Sequence, residues 1–391
     1  MTDPASPKPL TIVIAPDSFK GSLTAAEAAA AMAFGVRDVV GTAAHIVLCP
    51  MADGGEGTLD AIAAVWGVEP RSLTTVNALR RTCTARYGLS ADARTGVIEA
   101  AESNGLPLMT DVPSEPQRAD TFGVGLLARE LLDQNVDEIL LCIGGSASTD
   151  GGTGLLTALG VRFRGATGEQ VAPGGAGLSA ITSIDVSQLH PRAREVRWRV
   201  AVDVNNPLCG PRGAAAVFGP QKGAQPGDVE ALDAGLANLA AVVLGATGED
   251  MRDRPGAGAA GGMPATLVPL LAAEMVPGSI LVADAVGLPA ALAAADLVLT
   301  GEGSFDSQSL GGKVVVAVAD LAPEGCPVIV VAGRVALSAT ETRASRITAA
   351  FSIAGGPATL DDLQRQAGER VRETTAQAVA LFHRAKPVCG L

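Results

Sequence analysis

Both ends of the chain alternate short β-branched runs with alanine-rich stretches at helical spacing, and the middle does not; this broken rhythm constrains the fold more than any other feature. Near the start, residues 11–15 and 45–50 read as strands, and 25–36 and 58–66 as helices. The pattern returns late, with apolar runs at 297–300, 328–332 and 349–353 between helical stretches, the last from about 360 to 382. Strands that alternate with helices build parallel sheets, so the two ends are expected to share one. From about 69 to 286 the chain turns to shorter strand-like pieces (72–76, 82–89, 96–99), helices, and glycine-rich loops at 144–154, 174–177 and 256–262. An inserted second domain accounts for the change. At 391 residues, length alone already favours two domains.

Hydrophobic residues make up 48% of the chain but aromatics only 3%, so the interior must be built from Ala, Val, Leu and Ile, as in α/β proteins. Each long apolar stretch is broken by a charge, Gly or Pro before ~20 residues, so no membrane span is expected. The first eight residues are polar and proline-bearing, unlike a secretory signal, which points to the cytoplasm. Six cysteines without a C-x-x-C pair and three scattered histidines suggest neither a disulfide framework nor a zinc site. The formal charge of −12 opposes non-specific attraction to nucleic acid.

Lysine usage narrows the chemistry. There are five lysines: Lys8, Lys20, Lys222, Lys313 and Lys386. Apart from the two near the termini, each adjoins a glycine, in Lys20-Gly21, Lys222-Gly223 and Gly312-Lys313. A compact charge beside backbone that can approach closely suits phosphate binding; ordinary loop lysines are the alternative.

The loops around them carry carboxylates. Asp17-Ser18-Phe19-Lys20-Gly21-Ser22-Leu23-Thr24 follows the first strand, with Thr24 as the expected helix N-cap; Asp17 and Ser18 also fit simple turn chemistry. Asp53-Gly54-Gly55-Glu56-Gly57-Thr58 sets two acids among three glycines before a helix, where hard oxygens suit Mg²⁺ or a hydroxyl-bearing substrate; Glu56 also fits a helix-dipole role. Gly144 to Gly154 follows an apolar run and precedes a helix, the usual setting of an anion nest. Asp203-Val204-Asn205-Asn206 ends a strand shortly before Gln221-Lys222-Gly223, and Glu302, Asp306, Gln308 and Lys313 recur together near the end. No Walker A pattern exists, and G-x-G-x-x-G occurs only at 256–261 with no strand leading into it. Acids, lysines and glycines in this combination are the parts of phosphoryl transfer, which relies on positioning and charge stabilisation. Scarce histidine and no Ser-His or Cys-His pairing argue against hydrolytic nucleophiles.

These motifs closely resemble those of the bacterial glycerate kinase family: APDSFKGSL at 15–23, MADGGEGT at 51–58, IGGSASTDGGTG at 143–154, FGPQKGA at 218–224, PGAGAAGG at 255–262 and TGEGSFDSQSLGGK at 300–313. The resemblance runs from about Thr11 to Phe382. It implies an α/β fold: a discontinuous flavodoxin-like three-layer domain (1–68 and 287–391) with a second inserted α/β domain (69–286), and a reaction site in the cleft between them. It also implies ATP, Mg²⁺ and D-glycerate, with 2-phosphoglycerate the expected product and 3-phosphoglycerate the alternative. Two departures stand out: Asn77-Ala78-Leu79-Arg80 where relatives often have Gly-Pro-Leu-Gly, and Gly312-Lys313-Val314-Val315-Val316-Ala317 where they often read Gly-Lys-x-Pro-x-Gly.

On this reading Lys20, Lys222 and Lys313 neutralise phosphate oxygens. Asp53, Glu302 and Asp306 handle Mg²⁺ or substrate hydroxyls, with Asp53 and Glu302 the metal candidates. Asp203 is the leading general base, with Asp306 and Asp53 as rivals. Ser18, Gly54, Gly55, Gly144, Gly145, Ser146, Asp150, Asn206 and Gln308 are the binding candidates. The rival functions are a nicotinamide- or flavin-dependent oxidoreductase and a non-catalytic hydroxy-acid binder. Expected partners are small molecules, without nucleic acid or membrane; oligomeric state is not legible.

Overall fold

The computed structural model describes residues 9–311 and 313–385. Lys8, Lys386 and the eight-residue start lie outside them. Among the described residues there are thirteen strands: β1 (Leu10–Ile14), β2 (Ala44–Leu48), β3 (Arg71–Val76), β4 (Thr82–Leu89), β5 (Thr95–Glu99), β6 (Glu138–Cys142), β7 (Arg162–Arg164), β8 (Ser183–Asp185), β9 (Arg197–Ala201), β10 (Glu274–Val276), β11 (Leu297–Phe305), β12 (Val328–Val335) and β13 (Ala349–Ser352). Contacts divide the chain into two compact units. One takes the described residues of Met1–Asp53, Asp60–Val65 and Val282–Leu391; the other takes Gly54–Leu59 and Trp66–Leu281.

In the first unit the two chain ends share a five-stranded sheet, ordered β13-β12-β11-β1-β2 and parallel throughout. β1 is an interior strand, with Ile12 opposite Leu297 on one side and Ile46 on the other. A strand covered on both faces must be apolar throughout, and Ile12, Val13 and Ile14 are fully buried. The helix Ala25–Val40 opens with a capping box, Thr24 accepting the N–H of Glu27 and Glu27 accepting that of Thr24. It lies against the helix Ala367–Ala385 at Gly35, where a β-carbon would come within 2.3 Å of the Arg372 carbonyl oxygen. The C-terminal helical stretch, expected as one helix, is two: Leu360–Arg365 and Ala367–Ala385. The first has no buried face to keep it in line, while Ala367 turns into the core. β11 runs five residues past the expected end, because it pairs with β12 as far as Phe305 opposite Val335.

The second unit holds a six-stranded sheet, ordered β10-β9-β6-β5-β4-β3, in which the first four strands are parallel and β4 and β3 antiparallel. β7 and β8 form a separate antiparallel pair. The helix Pro226–Thr247 is long and apolar enough, by length and composition, to cross a bilayer. Here Leu232, Leu236, Leu239, Ala240 and Val243 bury one side of it in the unit's main core. The β3–β4 turn explains the first departure noted above. Asn77 Oδ1 accepts the N–H groups of Leu79 and Arg81, both at 3.0 Å, and Arg80 takes a left-handed φ of 58°. That conformation costs a non-glycine residue about 1–2 kcal/mol. It is offset by the Arg80 guanidinium, which pairs with the fully buried Asp120 at 2.7 Å and stacks 4.2 Å from the Phe122 ring centre.

Candidate active site

In an open parallel sheet, ligands bind outside the carboxyl ends of the strands where the strand order reverses. In the first unit the reversal falls between β1 and β11. The chain leaving β1 stays bonded to β11 there: Asp17 N–H donates to the Gly301 carbonyl at 2.8 Å, and Thr300 Oγ1 donates to the Ala15 carbonyl at 2.7 Å. Asp17 and Glu302 are thereby brought to the same edge. Burial pushes Asp17 up to about 6, with the Asp53 charge adding and the Ser18 N–H (2.6 Å) and Lys313 opposing. Burial likewise pushes Glu302 up to about 7; Ser309 and Lys313 oppose, and Asp17 and Asp306 add. Glu302 is 8% exposed and its Oε1 has no hydrogen-bond partner. Expected in a loop, Glu302 instead sits within β11, which fixes its direction by strand pairing.

Asp306 is held differently. It accepts the Gln308 N–H at 2.9 Å and the Ser304 hydroxyl at 3.1 Å, bonds that keep its carboxyl below the usual range. Lys313 is exposed at the start of the helix Val314–Leu321, and Lys20 is exposed, its main-chain nitrogen 3.3 Å from where a β-carbon on Gly303 would lie. Thus Ser18, Lys20, Asp53, Glu302, Asp306, Gln308 and Lys313 belong to one unit. Among the described residues no group of three His, Cys, Asp or Glu forms a ready cation cage. The site still fits Mg²⁺, which is held by one or two carboxylates together with phosphates. Like-charged, desolvated carboxylates and the unpartnered Glu302 oxygen are the features a cation would satisfy.

In the second unit the parallel strands β5, β6 and β9 deliver Glu99, the loop 144–154 and Asp203 to one sheet edge. Close backbone approach explains two glycines: a β-carbon on Gly54 would lie 2.7 Å from that of Ala201, and one on Gly144 would lie 2.9 Å from Gly55 Cα. Asp203 is exposed, and its Oδ1 accepts the Gly278 N–H at 2.7 Å. Asn206 Nδ2 donates to the Arg212 carbonyl at 2.8 Å.

The 144–154 loop, expected to be an anion nest, and the 53–58 loop both have N–H donors at their helix starts filled from within. Asp150 is fully buried; it accepts the N–H groups of Thr121 (2.9 Å), Gly152 (3.1 Å) and Gly154 (2.9 Å), and the Thr121 hydroxyl (2.8 Å). Expected to contact ligand, Asp150 therefore orders the loop from inside. Glu99, 4% exposed, does the same for the helix Thr58–Trp66 through Gly57 and Leu59. What remains is the crest of the loop. Among the described residues the N–H groups of Gly145 and Ser146 have no protein acceptor. Beneath that crest, Lys222 is 4% exposed, and its Nζ donates to Ser146 Oγ at 3.1 Å and to the Ser148 carbonyl at 2.6 Å. Burial lowers Lys222 to about 8, with the Asp150 charge opposing.

Sequence reasoning did not single out Glu99, Asn104 or Thr121, which act at a distance, and it left Asp17 undecided between turn and function. The position of Asp17 just beyond β1 was the signal available for it. The G-x-G-x-x-G run serves packing: a β-carbon on Gly261 would lie 2.2 Å from the Ser148 carbonyl oxygen.

Comparison with known proteins gives the family. The glycerate kinase family model matches residues 12–383. Glycerate kinase of Halalkalibacterium halodurans is 41% identical over 372 residues, 95% of this chain and 97% of that protein. Glycerate 2-kinase of Escherichia coli K12 is 40% identical over 364 residues, 93% of this chain and 95% of that protein. A crystal structure from Salmonella typhimurium LT2, assigned as glycerate kinase 2, superposes with a TM-score of 0.89 at 41% identity, covering 97% of this chain and all of that one. With a match that spans both sheets and every loop described above, this chain belongs to the glycerate kinase family.

Proposed function

We propose that the chain transfers the γ-phosphoryl group of ATP to the 2-hydroxyl of D-glycerate. The observation that carries this is the family match over residues 12–383, and the relative with the more specific name is a glycerate 2-kinase. ADP release that depends on D-glycerate tests the reaction. Whether enolase consumes the product directly tells 2-phosphoglycerate from 3-phosphoglycerate. Glycerate-dependent reduction of a nicotinamide or flavin, or binding without turnover, would overturn the reading.

The residue roles belong to the same proposal. Asp53 and Glu302 would hold Mg²⁺ together with the phosphates, with the charge of Asp17 beside them, and the bound cation would neutralise phosphate charge. The unpartnered Glu302 oxygen and the mutual repulsion of these acids support that assignment. Lys20 and Lys313, both exposed, reach phosphate oxygens. Lys222 uses two of its three N–H donors on the loop and keeps one for a ligand. Having accepted from Lys222, the Ser146 hydroxyl directs its own proton elsewhere, beside the N–H groups of Gly145 and Ser146.

Asp203 is the proposed base: one oxygen is fixed by Gly278, and the side chain is exposed at the end of a strand. Asp306 is less suited, because two hydrogen bonds already stabilise its ionised form. The two-domain reading is supported by the change of unit near Trp66 and Val282. The absence of nucleic-acid partners is supported by the charge of −12.

A further inference from the structure

We propose that Asn104 is a positioning residue for the reaction: it grips the Ser148 hydroxyl while Lys222 bonds the Ser148 carbonyl, and so fixes where the Lys222 amine sits. The inference rests on the reading that Lys222 and the crest of the 144–150 loop meet phosphate.

Asn104 ends the short helix Ala101–Asn104 and is 1% exposed. Its side-chain Nδ2 donates to Ser148 Oγ at 2.8 Å, and its carbonyl accepts the Ala147 N–H at 2.8 Å. Next to it Gly105 bridges Ser146 in antiparallel fashion, with the Leu106 N–H on the Gly145 carbonyl at 3.4 Å. Segment 104–106 is therefore laced along residues 145–148. Lys222 holds two of the same residues, through Ser146 Oγ and the Ser148 carbonyl. Ser148 is fully buried and bonded by both, its hydroxyl to Asn104 and its carbonyl to Lys222.

The geometry sets what each partner can do. Lys222 carries four rotatable bonds and would have no unique position without a fixed acceptor. The Ser148 carbonyl provides one only if the peptide after it is held, and the Asn104 side chain holds the hydroxyl of that residue. Asn104 Oδ1 is buried with no partner, so the side chain is retained at the cost of an unsatisfied acceptor. A residue kept only for filling space would be better served by an apolar side chain of the same size.

The test is a double-mutant cycle between Asn104→Ala and Lys222→Met, with kcat at saturating ATP and D-glycerate measured well below the melting temperature of each variant. Lys222→Met should lower kcat by ~10²-fold, and Asn104→Ala by roughly 5–10-fold, the scale of one buried hydrogen bond. Because Asn104 acts through Lys222, adding Asn104→Ala to Lys222→Met should change kcat by less than twofold. Ser148→Ala, which removes only the acceptor of the Asn104 side chain, should reproduce the Asn104→Ala loss even if Asn104→Ala fails to fold. Additive losses, or an Asn104→Ala or Ser148→Ala effect confined to melting temperature, would overturn the proposal. If Lys222→Met itself keeps wild-type kcat, the phosphate reading falls and this inference falls with it.

Discussion

Glu99 accepts the main-chain N–H of Leu59 at 3.1 Å and of Gly57 at 3.3 Å, reaching 40 and 42 residues back along the chain. A buried carboxylate on β5 thus occupies the N-terminus of the helix Thr58–Trp66, a position that attracts anions. Glu99→Gln keeps the shape but can offer only one acceptor and sets an NH₂ group against the other donor. It should cost about 1–3 kcal/mol in denaturant unfolding. An unchanged midpoint would show that the helix end is satisfied otherwise.

Lys222 gives a pH-dependent contribution whose sign follows from burial. Its folded value is about 8 against an ordinary 10.5, because desolvation disfavours the charged form, and Asp150 is the charge opposing that effect. Between those two values the unfolded chain binds the extra proton, so this lysine's contribution to stability rises with pH across that window. Below about 8 the penalty is fully present. Relative to Lys222→Met, wild type should therefore gain stability from pH 8 to pH 10, measured by urea unfolding. Activity should move the opposite way if the charged amine does the work, with a falling limb near 8 that is absent in Lys222→Met.

Lys313 tests phosphate neutralisation without that complication. It is exposed and outside the buried network. Lys313→Met should lower kcat by ~10²-fold, while stability stays within about 0.5 kcal/mol. Lys8 and Lys386, outside the described residues and without glycine neighbours, serve as controls expected to work almost normally as Met variants. Wild-type kcat and ATP KM in Lys313→Met would assign the phosphates to other donors.

Chelation of divalent cations should abolish turnover, and Mg²⁺ should restore it. Glu302→Gln should raise the Mg²⁺ concentration needed for half-maximal rate, since under the proposed assignment it removes one of the two hard anionic ligands and leaves Asp53. Full activity in excess chelator would remove the metal role from these acids.

Arg80→Gly separates backbone strain from ion pairing. Glycine relieves the left-handed φ of 58°, yet leaves Asp120 fully buried without its guanidinium partner. Loss of the partner of a buried charge outweighs the strain of about 1–2 kcal/mol, so the variant should be less stable. A stabilised Arg80→Gly protein would mean that the Phe122 N–H, which donates to Asp120 Oδ1 at 3.0 Å, suffices.

Local pattern made much of this protein legible. Strand and helix periodicity marked β1, β2 and the capped helix after Thr24, because side-chain burial repeats with the backbone's own period and needs no knowledge of partners. The acidic loops after β1, β2 and β9 likewise marked sheet edges, since the turns that leave strands carry a compositional trace, whereas Lys222 follows the helix Ala214–Phe218 and reaches the 144–154 loop only through tertiary contact. Which of those residues turn outward was decided only by tertiary structure. Asp150 and Asp203 look alike as loop acids after a strand, yet one is sealed under four donors and the other stands exposed. Glu99 and Asn104 gave no signal at all, because their partners lie some 40 residues away and a hydrogen bond across that separation exists only once the sheet has brought its ends together.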